Sequence, residues 1–159
     1  MSPELTETKP ASLFKRLIAI FYDLFLLLAL LFIVGVVAAG ILTFAINNGN
    51  AITADHPYYL PYRTFILLLL FFTGLGFFGW FWTHGGQTLG MRTWRLKLVS
   101  DNDQTISWQQ ALIRYSGAIL SWGCAGLGFL WALFNKKKKT WHDLLSKTAV
   151  IQLNKPDKK

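Results

Sequence analysis

The run from Arg16 to Ile46, RLIAIFYDLFLLLALLFIVGVVAAGILTFAI, constrains this chain more than any other stretch. After Arg16 come 30 residues with a single charged side chain, Asp23. As a helix the run is about 45 Å long, enough to cross a bilayer with some tilt. The chain is therefore expected to be a membrane protein. A carboxylate inside hydrocarbon costs roughly 2.5 to 3.5 kcal/mol on insertion scales. Arg16 precedes Asp23 by two turns, on the same helix face and about 10 Å away along the axis. Two readings follow. The residues form a structural ion pair that sets helix packing, or Asp23 is a proton or cation site tuned by desolvation and a nearby cation.

At 159 residues and 53% apolar, the chain is expected to form one small membrane domain with no separate catalytic domain. A net charge of +8 is a common sign of nucleic-acid binding. Here the basic residues flank apolar segments, where they orient a chain and meet anionic lipid headgroups, so nucleic acid is not an expected partner. Cys124 is the lone cysteine and has no internal disulfide partner. The first apolar run is about twice the length of a signal-peptide core, so an uncleaved anchor is expected.

Taken in order, residues 1–12 read as a flexible tail, with Ser12 as the cap of the first helix. Asn47 to Asn50 end that helix, and Tyr58, Tyr59 and Tyr62 resemble an interfacial belt. A second span is expected over Phe65–Thr83, with Trp80 and Trp82 at its far interface. Trp94 to Val99 alternates, a turn follows at Ser100–Asp103, and Ile106 and Trp108 sit at strand spacing. This predicts a small β-hairpin outside the hydrocarbon. A third apolar region, Ala111–Phe134, is interrupted by Gly117, Gly123, Gly126 and Gly128.

Charge placement orients these pieces. Lys and Arg number three up to residue 16, one in the 47–64 loop, four over 84–115 and eight from residue 135. The N-terminus and the hairpin are then cytoplasmic. A helical hairpin bent near Gly123–Gly128 keeps the C-terminus there too, whereas a full third span would place eight basic residues outside. The fold class is an all-α membrane protein with two transmembrane helices, a third apolar hairpin or span, and a small cytoplasmic β-hairpin. Its expected organisation is a tail over 1–12, one membrane domain over 13–152, and a basic tail over 153–159.

Three landmarks stand in order: Arg16, Asp23, and Asp143 within Trp141-His142-Asp143-Leu144-Leu145. The chain resembles the RDD family of small membrane proteins, named for one arginine and two aspartates, over about residues 13–152. By that resemblance Arg16 matches the arginine, and Asp23 and Asp143 match the aspartates. Gly86-Gln87-Thr88-Leu89-Gly90-Met91-Arg92 is similar to the family's glycine-threonine turn. Gly128–Phe134 with the following KKKKTWHDLLSKT is similar to its basic closing segment. The resemblance implies a membrane fold and location, and some members have been linked to sodium/proton antiport.

Two functions are weighed. The first is a monovalent cation/proton antiporter, with Asp23 as exchange site, Arg16 tuning it and Asp143 gating from the cytoplasm. Two spans cannot enclose a pathway, so such a site would lie at an oligomer interface. The second is a non-catalytic scaffold or accessory protein, working as a homo-oligomer or with a partner membrane protein, in which Arg16, Asp23 and Asp143 form a buried structural network. An enzyme is not expected, since the chain has no metal-ligand cluster, phosphate-cradling loop or nucleophile–base spacing. No cofactor or metal is expected. Lys136, Lys137, Lys138 and Lys139 are expected at the membrane surface, facing anionic lipid. The expected location is the cell inner or plasma membrane, with both termini cytoplasmic.

Overall fold

The computed structural model describes residues 9–102 and 104–154. The chain is mostly helical, and its elements in order are β1 (Lys9–Pro10), α1 (Leu13–Asn47), α2 (Tyr59–Thr83), α3 (Leu89–Thr93), β2 (Leu96–Ser100), α4 (Trp108–Gly123), α5 (Leu127–Phe134), α6 (Trp141–Leu145) and β3 (Thr148–Gln152). They divide into two compact units. One is Leu24–Phe77, and the other holds the residues up to Asp23 and from Phe78 onward.

The Leu24–Phe77 unit is the long part of α1, a connecting loop and most of α2. Both α1 and α2 are long and apolar enough to cross a membrane. Their apolar side chains point outward, as with Phe32 at 71% and Phe44 at 74% exposure. That is the reverse of a water-soluble helix pair, which buries one apolar stripe. α1 ends where Asn48 and Gly49 take positive φ, and the Gly49 N–H returns to the Thr43 carbonyl at 3.0 Å. α2 starts at Tyr59, not Phe65, so Tyr59 and Tyr62 belong to its first turn and Tyr58 immediately precedes it.

The second unit is built on a three-stranded antiparallel sheet in the order β1-β3-β2. This corrects the expected local hairpin. Trp94–Val99 alternates as read, but β2 pairs with β3 from the far end of the chain, with Leu98 opposite Val150. Ile106 and Trp108 form no strand. Ser107 and Gln110 make a reciprocal capping box that starts α4, and this helix signal outweighs the two-residue apolar spacing. The N-terminal tail is corrected as well. Lys9 and Pro10 pair with Gln152 and Ile151, and Ala11 is buried. Residues 1–8 and 155–159 of the expected tails lie outside the described residues.

Leu96, Leu98 and Val150 share the buried face of the sheet and pack with Ala19, Trp82, Met91, Ile106 and Ala111. Trp82 is therefore a core residue stacked on Phe78 at 5.2 Å, not a marker of an interface. Trp80 does lie outside, stacked on His84.

The third apolar region is α4 and α5, bent by 99° at the break between them. α5 folds back against α4 and α6, and the chain returns to the sheet as β3. Close packing at the bend depends on Gly128, where a Cβ would run into the Ser121 side chain. Lys139 holds the return, its Nζ bonding both Asp101 carboxylate oxygens at 2.6 and 2.7 Å.

Because Leu98 sits at the centre of this core, Leu98→Ala is expected to cost about 2–5 kcal/mol. Thermal unfolding of the detergent-solubilised protein reads this directly. An unchanged midpoint would mean that the sheet is not part of the cooperative unit.

Candidate functional site

α1 buries only Arg16, Ala19 and Asp23, a stripe at helical spacing. The two charged residues therefore share a face, as their spacing predicts. Among the described residues they do not bond to each other. Each belongs to a separate polar cluster within the sheet-containing unit.

The first cluster centres on Asp143 in α6. Its position is set locally by a capping box. Thr140 Oγ1 accepts from the Asp143 N–H at 3.3 Å, and Asp143 Oδ2 accepts from the Thr140 N–H at 3.0 Å. The same carboxylate binds two guanidiniums. Arg16 Nη1 donates to Oδ2 at 2.7 Å, and Arg114 Nη1 donates to Oδ1. All three residues are buried, Asp143 completely.

Each arginine has further partners. Arg16 Nη2 donates to the Val150 carbonyl at 3.2 Å, and Arg114 Nη1 to Thr148 Oγ1 at 3.0 Å. The Arg114 guanidinium also lies 5.3 Å from the centre of the Trp82 ring, spreading its charge over an aromatic face. Arg16, Arg114 and Asp143 thus tie together α1, α4, α6 and β3.

Burial alone would raise the Asp143 carboxyl. The charges of Arg114 and Arg16 outweigh burial and hold it well below the usual carboxylate range. His142 next to it is buried rather than at a surface, edge-on to Phe129 at 4.8 Å. Its Nδ1 has no hydrogen-bond partner among the described residues. Burial, then the positive charge of Arg114, pushes its pKa down to about 3, so the imidazole is neutral at physiological pH.

The second cluster centres on Asp23. Its Oδ2 accepts from the Thr88 hydroxyl and its Oδ1 from the Gly90 N–H at 2.8 Å. Thr88 is also the cap of α3, its Oγ1 accepting from the Met91 N–H at 3.2 Å. Only glycine fits at position 90, because a Cβ there would collide with the Ala19 carbonyl and lie 3.0 Å from Asp23 Cγ. Asp23 has no basic partner among the described residues. The expected tuning of Asp23 by Arg16 is corrected on this geometry.

Two contributors were not singled out from the sequence as site residues. Arg114 is a lone charge in an apolar helix, the same anomaly that marks Asp23. Thr88 lies in the Gly86–Arg92 turn, but its link to Asp23 spans 65 positions. The lysine run does not act as one cluster. Lys136, Lys137 and Lys138 are exposed, while Lys139 bonds Asp101.

Asp143→Asn leaves two buried guanidiniums without their countercharge and is expected to cost about 3–5 kcal/mol. A variant melting with wild type in detergent would remove the cluster from the stability of the fold. The pH dependence has a definite sign. His142 stays neutral in the fold, while the unfolded chain takes up a proton below its ordinary value of 6.5. Stability is therefore expected to fall as pH drops from 6.5 towards 3, by a few kcal/mol. The Asp143 contribution is intact throughout neutral pH, and its loss begins only near the ordinary carboxylate value of 3.8. His142→Asn should flatten the upper part of this acid limb in a pH series of thermal melts. An unflattened limb would assign the loss to other groups.

No solved structure matches the chain. It is similar to the uncharacterized protein YxaI of Bacillus subtilis (strain 168), at 26% identity over 148 residues, covering 90% of this chain and 97% of that protein. The model of the RDD family matches residues 10–147, which include Arg16, Asp23, Thr88, Arg114 and Asp143. The chain therefore belongs to the RDD family.

Proposed function

We propose that this protein is an integral protein of the cell inner or plasma membrane that acts as a non-catalytic scaffold or accessory component, as a homo-oligomer or with a partner membrane protein. Family membership and the length and outward apolar surface of α1 and α2 support the membrane setting. β1, β2 and β3 come from both ends and the middle of the chain and form one sheet, which supports a reading with all three on one side of the membrane. On that reading the α4–α5 elbow enters and returns without crossing, which its 99° bend supports. The excess of Lys and Arg on these same segments supports a cytoplasmic position for both termini.

The observation that carries the structural role is the saturation of Asp143. It accepts from Arg16, Arg114 and the Thr140 N–H while fully buried. A carboxylate so occupied, and held far below its usual range by two cations, has no proton to exchange near neutral pH. It works as a clamp, not a gate.

A second reading rests on Asp23. It is a buried carboxylate on an apolar helix with no basic partner among the described residues, which favours antiport with Asp23 as the sole exchange group. The readings separate in proteoliposomes carrying sodium, lithium or potassium gradients. The scaffold reading expects no ion-driven proton flux from wild type, and poor recovery of Arg16→Gln and Asp143→Asn. Flux in wild type that disappears in a well-assembled Asp23→Asn would overturn it and establish the antiporter.

A further inference from the structure

α4 is amphipathic with its faces reversed. Its buried stripe is Ala111, Arg114, Gly117 and Ser121, which are small or polar. Its large apolar side chains face outward, with Leu120 and Trp122 each at 61% exposure. α5 continues this surface chemistry beyond the 99° bend, with Leu127 at 54%, Trp131 at 46%, Leu133 at 65% and Phe134 at 82% exposure. After Phe134 and the capping Asn135 come Lys136, Lys137 and Lys138, all exposed and without a carboxylate partner among the described residues. At eight residues α5 is only about 12 Å long, far short of a bilayer.

We infer that the α4–α5 elbow is an interfacial wedge that binds anionic phospholipid, its apolar side chains in the acyl region and Lys136–Lys138 on the headgroup phosphates. This rests on the membrane reading above and adds to it a specific lipid class. Charge complementarity selects the occupant. Three consecutive exposed ammoniums beside an apolar, tryptophan-bearing ledge match an anionic leaflet, whereas a protein interface core is depleted in lysine. Lys139 is not part of the headgroup site, because Asp101 already neutralises it.

The single cysteine makes the wedge testable without engineering a reporter position, since Cys124 is exposed in the bend itself. The full chain carrying an environment-sensitive fluorophore on Cys124 is reconstituted in equimolar phosphatidylcholine and phosphatidylglycerol. The fluorophore should be quenched by nitroxide-labelled acyl chains and shielded from aqueous iodide. In detergent, wild type should retain phosphatidylglycerol over phosphatidylcholine with at least about tenfold greater preference than Lys136→Gln/Lys137→Gln/Lys138→Gln. A label open to iodide in protein that resists an alkaline wash overturns the wedge and leaves the membrane reading standing. A label shielded from both quenchers assigns the elbow to a protein interface and overturns the proposal. Equal lipid retention by variant and wild type overturns the headgroup site. Protein that washes off the vesicles overturns both readings.

Discussion

One carboxylate is the point at which four elements of the sheet-containing unit meet. Asp143 is buried, and it takes the guanidiniums of Arg16 and Arg114 as well as the N–H that caps its own helix. Without that negative charge, two arginines on different helices would face each other in a low-dielectric interior. With it, the start of α1, the inner face of α4, the short α6 and the strand β3 share a single centre. Trp82 and Thr148 take up the rest of the Arg114 charge, so the cluster is closed by aromatic and hydroxyl groups as well as by the ion pairs.

Asp23 follows a different logic on the same face of α1. It is satisfied by neutral donors, the Thr88 hydroxyl and the Gly90 N–H, which come from the turn leading into α3. A glycine at position 90 is needed for that approach, because the Ala19 carbonyl occupies the space a side chain would fill. Two acidic residues that look equivalent in the sequence therefore differ in kind. One is a charge-paired clamp, and the other is a hydrogen-bonded carboxylate with no cation beside it among the described residues. The distinction decides which of them is a candidate for exchange chemistry.

The inverted faces of α4 belong to the same account. Arg114 must point inward to reach Asp143, and Gly117 must be small because His142 packs over it. With the inner stripe committed to polar and small residues, the large apolar side chains of α4 have only the outside left. Outside, they are stable only against an apolar medium or a partner.

Much of this was legible in the residues. The length and apolarity of α1 and α2, the anomaly of Asp23, the break near Gly123–Gly128 and the same-face placement of Arg16 and Asp23 all follow from local composition and helical period. So does the family, because its landmarks stand in order along the chain. Pairings at long separation were not legible. Ile106 and Trp108 imitate a strand, but the true partner of β2 is β3, and nothing local to Leu96–Ser100 names it. Arg16 stands seven residues from Asp23 and 127 from Asp143, yet it bonds the latter. The sequence by itself determined which segments are helical and apolar, and which charges are out of place in them. Only the tertiary structure decided which opposite charge or donor each one meets, because a buried charge is satisfied by whatever the fold brings within hydrogen-bond reach.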